Sequence, residues 1–138
     1  MPSLRFGSAE NEYLELELEI ALPPGAGHSE TLMDVPVELV VDGFRGRITP
    51  MFEVDDFVRF LSALRSVYEA LSGHATPDSR DRQLYFTASG NGRGAVTIEG
   101  YAYARATYGN KLTFEITIDQ SYLPEPLATL TKVVEAWK

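Results

Sequence analysis

An α+β domain built mostly from antiparallel sheet is what the sequence predicts, and three observations carry that prediction. Apolar and polar residues alternate over several separate segments, the period-two signature of strands. Two other segments place apolar residues three and four apart, the signature of amphipathic helices. These helices interrupt and close runs of strands, whereas a doubly wound parallel sheet alternates strand with helix. The 138 residues suit one domain, 1–138, and 44% hydrophobic with 23% charged residues is an ordinary globular balance. The expected order is β-β-β-β-α-β-β-β-α, about seven strands with one central helix (about 54–72) and one C-terminal helix (about 124–137).

Leu4 to Gly7 reads as a short first strand and Ser8 to Asn11 as its turn. Tyr13 to Leu22 is the clearest strand: Leu14, Leu16, Leu18 and Ile20 alternate with Glu15, Glu17 and Glu19. Leu and Glu favour helices, but a helix would scatter these leucines around its circumference, so pattern overrides propensity. Pro23-Pro24-Gly25-Ala26-Gly27 ends it, opening a loop over 23–33 that carries His28. Val35 to Asp42 alternates again, with Pro36 marking a strand start or sheet edge because it cannot donate to a ladder. Asp42-Gly43 is a tight-turn signal, and Phe44 to Glu53 is expected to return as one arm with Phe44, Ile48 and Phe52 inward.

Val54 to Ser72 switches to helical spacing through Phe57, Phe60, Leu61, Leu64, Tyr68 and Leu71, with Asp55 and Asp56 in or beside the first turn and Gly73 as a left-handed stop. His74 to Arg82 is a polar loop. Three strand patterns follow, through Leu84–Ala88, Val96–Ala102 and Leu112–Ile118, joined at Gly90–Gly94 and at Thr107–Asn110, a meander. Leu123, Leu127, Leu130, Val134 and Trp137 form the stripe of the last helix, with Pro124 or Pro126 in its first turn. Each half places strands before a helix, a loose internal echo.

Charge and residue inventory exclude more chemistry than they suggest. Twelve basic residues against twenty acidic give −8, which repels phosphate backbones, and no basic face argues for nucleic acid. No cysteine is present, so no disulfide or thiolate site is expected. A catalytic histidine needs an orienting carboxylate and a nucleophile within reach. His28 has Ser29 and Glu30, and His74 has Thr76, Asp78 and Ser79, nearby in sequence, but on loops where such residues are simply soluble, so both read as exposed loop histidines. No cofactor or metal is expected, and no catalytic residue. Gly90-Asn91-Gly92-Arg93-Gly94 is not a phosphate loop: no Lys-Ser/Thr follows, and the next element is a strand. Asp119-Gln120 reads as the turn into the last helix. No segment approaches the ~20 apolar residues of a membrane span, and the N-terminal MPSLRFGSAENEY lacks a signal peptide's apolar stretch, so the expected compartment is the cytoplasm. Glu15, Glu17 and Glu19 recur about 7 Å apart on one strand face, either a solvated row or a contact for a basic protein. Tyr101 and Tyr103 share the polar phase of their strand and read equally as interface anchors or as core beneath a helix.

Several stretches together resemble a bacterial family. They are Tyr13-Leu14-Glu15-Leu16-Glu17-Leu18-Glu19-Ile20, Phe44-Arg45-Gly46, the helix Phe57 to Leu64, Gly94-Ala95-Val96-Thr97-Ile98-Glu99-Gly100-Tyr101, and Leu112 through Pro124. In order and spacing the chain resembles the WapI-type immunity proteins and related uncharacterised bacterial domains. The third strand departs from the family pattern, with Met33-Asp34-Val35-Pro36-Val37 in place of an Asp-Trp-Leu-like entry. The resemblance implies a non-enzymatic protein that protects a cell by binding a secreted toxin, in the namesake case a tRNA-cleaving nuclease. On that reading Glu15, Glu17, Glu19, Glu38 and Asp42, with Tyr101 and Tyr103, are the expected contacts for a basic protein partner, and affinity falls with salt mainly through the on-rate. The alternative is a small-molecule binding domain with its ligand held between sheet and central helix.

Overall fold

The structure, a computed structural model, describes residues 2–21, 31–106 and 108–137. The Pro23–Gly27 loop with His28, the end of the Glu/Leu strand at Leu22 and the turn residue Thr107 lie outside the described residues. The fold is α+β with antiparallel pairing throughout. Its first sheet has the order β1-β2-β4-β5, from β1 (Ser3–Gly7), β2 (Tyr13–Glu17), β4 (Val37–Val41) and β5 (Phe44–Ile48). The second has the order β10-β9-β8-β7, from β7 (Ser72–Ala75), β8 (Leu84–Asn91), β9 (Ala95–Arg105) and β10 (Tyr108–Asp119). A two-stranded ribbon joins β3 (Leu32–Asp34) to β6 (Met51–Glu53). Helix α1 (Val54–Ala70) follows β6, and a 3-10 turn over Gln120–Tyr122 leads from β10 into α2 (Pro124–Trp137).

Among the described residues ten strands appear where about seven were expected, and the extra pieces have identifiable causes. Proline cannot donate to a ladder: Pro50 interrupts the arm expected over Phe44–Glu53, and Pro36 separates β4 from Leu32–Asp34, which begins in the expected loop over 23–33 yet pairs as a strand. Upstream of Pro36, Leu32–Asp34 becomes β3; beyond Pro50, Met51–Glu53 becomes β6, and the two pair with Met33 opposite Phe52. The amide of Val35 donates to the Pro50 carbonyl at 2.9 Å, tying the two breaks together. The Glu/Leu strand ends at Glu17, and Ile20, expected inward, is 40% exposed. Phe44, also expected inward, stands beside the hairpin turn and is exposed, while Phe52 is buried.

Helix α1 starts on a reciprocal cap: the Asp56 carboxylate accepts the Glu53 amide at 2.8 Å, and Glu53 accepts from the first turn. It ends earlier than expected, with Leu71 at φ 58 as the left-handed residue. Gly73, also at positive φ, lies inside β7, so His74 is a strand residue opposite Ser89 and not part of a loop. Along the stripe Phe57, Phe60, Leu61 and Leu64 are buried, but Val67 takes the inward place assigned to Tyr68.

The core joins both sheets to both helices. Phe6 of β1, Phe60 of α1 and Phe86 of β8 meet ring to ring at centroid separations of 6.2, 5.8 and 5.8 Å. Phe57 bridges onward to Phe52 at 4.9 Å and to Trp137 at 6.5 Å. The Trp137 indole N–H donates to the Glu19 carbonyl at 2.8 Å, fastening α2 to the chain beyond β2. These rings fill the space between sheet and α1 in which a small ligand was the alternative expectation.

Candidate functional site

Because β1, β2 and β4 bury one alternation phase, the other phase of the sheet they form with β5 makes a polar outer face. Its central row crosses all four strands: Arg5 opposes Glu15, Glu15 opposes Glu38, and Glu38 opposes Arg47. Two adjacent carboxylates alone would repel, but each has a cation on its outer side. Arg5 donates to Glu15 at 3.0 Å and Arg47 to Glu38 at 2.9 Å, while Arg45 stands 3.9 Å from the same Glu38 oxygen. The Tyr13 hydroxyl donates to Glu38, and the Arg5 guanidinium lies 5.3 Å above the Tyr13 ring. The Tyr13 hydrogen bond first, and Arg47 second, hold the Glu38 carboxyl below the ordinary value of 4.5. The same bond, with burial, raises the Tyr13 hydroxyl above its ordinary 10.0.

A pH prediction follows. The folded-state pKa of Glu38 is lowered, so its contribution to stability is complete above the ordinary glutamate value of 4.5 and is lost as pH falls through the folded value. Glu38→Gln is expected to lower Tm near neutrality and to converge on the parent chain as melts are taken from about pH 5 to pH 3. A constant gap between the two over that range would mean that Glu38 acts through packing alone.

The remaining acidic residues singled out from the sequence do not form one patch. Glu17 lines a cleft of about 330 Å³ beside Glu15, Pro36 and Thr49. Glu19 lies beyond β2 and is exposed. Asp42 sits in the β4–β5 turn, its amide donating to the Glu12 carboxylate at 2.9 Å. Asp55 and Asp56 are helix-start acids paired with Arg59; burial raises the Asp56 carboxyl, against the Glu53 amide and Arg59. Asp119 caps the 3-10 turn through the Ser121 amide at 2.9 Å, and bonds to Ser121 lower its pKa.

The outer face of the second sheet is built differently. Tyr85 and Tyr101 are register partners, stacked at 5.5 Å with 23° between their planes, and Tyr103 meets Tyr101 edge-on at 5.5 Å. The Lys111 ammonium lies 4.5 Å from the Tyr101 centroid, and Arg82 lies 4.9 Å from that of Tyr85. Hydrogen bonds from Arg82 to Asp78 at 2.9 and 3.0 Å raise the arginine's pKa further. All three tyrosines are half-buried among Thr87, Thr113 and other residues of the polar phase, on the side of the sheet away from Phe86 and Ile98.

One row further along β9, Glu99 stands opposite both Thr87 and Glu115. Both glutamates are exposed, and no ion pair among the described residues includes either. With His74, Tyr85, Tyr101 and Lys111 they line a shallow concavity of about 750 Å³. Sequence reading missed this pair. Each glutamate shares the polar phase of its strand, but only the β9–β10 register sets one against the other. Among the described residues no group of three or more His, Asp or Glu is placed to hold a metal ion, and no helix is long and apolar enough to cross a membrane.

Fold and faces together define a sheet-presenting α+β domain, with an aromatic core joining helices to strands and polar strand faces turned to solvent. The chain belongs to the WapI-like immunity protein family, whose model matches residues 5–138, nearly the whole chain. No curated protein and no solved structure matches it.

Proposed function

We propose that this protein neutralises a toxin by binding it, with the contact centred on Glu99, Glu115, Tyr85 and Tyr101 and flanked by Tyr103. Family membership supports a toxin as the partner. The observation that carries the choice of face is the unpaired Glu99–Glu115 opposition. Like charges directly opposite across strands destabilise a sheet, and a basic partner relieves the repulsion that the isolated chain sustains. The neighbouring tyrosines are the residue type that anchors interfaces. A nuclease toxin offers the matching chemistry, since a cleft that grips nucleic acid is basic. Seating this face in such a cleft excludes the substrate. Binding takes place in the cytoplasm, where an intracellular toxin acts. Glu15 and Glu38 contribute less, because Arg5 and Arg47 already neutralise them. Glu17, Glu19 and Asp42 add to the overall −8 that steers encounter.

The test is the double variant Glu99→Gln/Glu115→Gln, measured beside the parent chain against a basic nuclease toxin domain that the parent chain binds. Association at low ionic strength is expected to slow by about tenfold. The unbound variant is expected to unfold at slightly higher denaturant, by about a few tenths of a kcal/mol. Unchanged association kinetics would remove this face from the interface.

A further inference from the structure

We propose that β5 is a docking edge for an extended segment of another protein, one in which acidic and apolar side chains alternate. Among the described residues, strand β5 ends the first sheet and pairs only with β4. The two-residue Asp42-Gly43 turn makes Val41–Phe44 a hydrogen-bonded pair, and alternation then assigns Leu39–Gly46 and Val37–Ile48 the same state. The backbone N–H and C=O groups of Arg45 and Arg47 therefore point away from β4. Among the described residues, no backbone hydrogen bond outside the ladders reaches 44–48.

These free groups face a groove of about 390 Å³ whose far wall includes Ala102, Lys111 and Leu112 from the β9–β10 hairpin. All five residues of β5 line it. Successive strand side chains point to opposite sides, so a wall made of five consecutive residues is the backbone edge itself. That is the geometry of strand addition, in which main-chain bonds hold the guest and alternate side chains select it.

The two phases of β5 specify that guest. On one phase Arg45 and Arg47 are 65% and 77% exposed and share one carboxylate, Glu38, leaving this edge an excess of positive charge in a chain of net −8. Lys111 adds to it from the far wall. On the other phase a Cβ built at Gly46 meets nothing within 4 Å, leaving a hollow between exposed Phe44 and half-buried Ile48. An added strand places acidic side chains beside the two arginines and an apolar one over Gly46. A second copy of β5 does not fit. Antiparallel self-pairing about Gly46 sets Arg45 against the other copy's Arg47, and like charges directly opposite repel. The edge accommodates a segment of roughly five residues, about 17 Å long. This inference rests on the edge of β5 and not on the Glu99–Glu115 pair, which lies on the other sheet, although Lys111 lines both hollows.

The experiment titrates the full chain, labelled with nitrogen-15, with the capped peptide Ser-Thr-Glu-Val-Glu-Thr-Ser and with its counterpart bearing Lys for Glu. The acidic peptide is expected to shift amides of 44–48 and of the facing hairpin, and to slow exchange at Arg45 and Arg47 on the order of tenfold. The Lys peptide is expected to leave them unmoved. Gly46→Leu fills the hollow and is expected to abolish binding; if its spectrum shows misfolding, Arg45→Glu serves instead. Glu99→Gln/Glu115→Gln is expected to bind the peptide as the parent does, which separates failure here from failure of the toxin face. No binding at about millimolar peptide, equal binding of the Lys peptide, or shifts on another face would each overturn the proposal.

Discussion

Phe60→Ala is expected to cost about 3–5 kcal/mol and to lower Tm by roughly 10–20 °C. The ring is 1% exposed and touches Phe6 of the first sheet and Phe86 of the second. Phe6 and Phe86 also meet directly, and Phe60 of α1 packs its ring against both. Truncation removes the transfer free energy of the ring and leaves a cavity bounded by two other rings, which collapse only partly into it. Val58, on the same helix but 38% exposed, is the internal control: Val58→Ala should stay within about 0.5 kcal/mol. Guanidinium unfolding of both variants decides the matter. A Phe60→Ala loss below about 1 kcal/mol would mean that the sheets are held together elsewhere.

Gly100→Ala is expected to be as severe, by a different cause. Gly100 lies in β9 between Phe86 of β8 and Phe114 of β10, both buried. A Cβ added there collides with the Tyr85 carbonyl oxygen and comes within 2.6 Å of the Phe86 Cα, both backbone atoms that no rotamer change can clear. The strands must separate or slide, and overpacking of that kind costs about 3 kcal/mol or more when backbone has to move. The damage reaches function because the flanking residues are Glu99 and Tyr101. Separation of β8 from β9 breaks the Tyr85–Tyr101 stack, so the near-ultraviolet tyrosine signal should fall together with Tm. Gly46→Ala is the matched comparison: with open space at its Cβ, it should be neutral or stabilising by up to about 1 kcal/mol. A Gly100→Ala variant as stable as Gly46→Ala would show that β8 and β9 have room to relax.

Much of the strand and helix content was legible because burial imposes a period. Leu14 and Leu16, Val37 and Leu39, and Ile116 and Ile118 alternate as they do because one sheet face is dry. Phe57, Phe60, Leu61 and Leu64 follow the 3.6-residue helical repeat for the same reason. Short elements escaped. Neither Leu32–Asp34 nor Ser72–Ala75 is long enough to display a period, and both are strands only because a partner, β6 or β8, supplies the ladder. Phe44 misled because apolar character states a preference for burial, not whether the position at a hairpin end has anything to be buried against.

The candidate site followed the same division. Alternation alone placed Glu15, Glu17, Glu38, Tyr101 and Tyr103 on polar strand faces. Which charges are spent and which are free was decided by register. The first sheet aligns Glu15 and Glu38 between Arg5 and Arg47, while the second aligns Glu99 with Glu115, and neither of these last two is in an ion pair among the described residues. Face is a local property, since each residue's side is set by counting along its own strand. Cross-strand neighbours are non-local, set by how turns, prolines and bulges slide one strand against another, so they emerge only when the chain has folded.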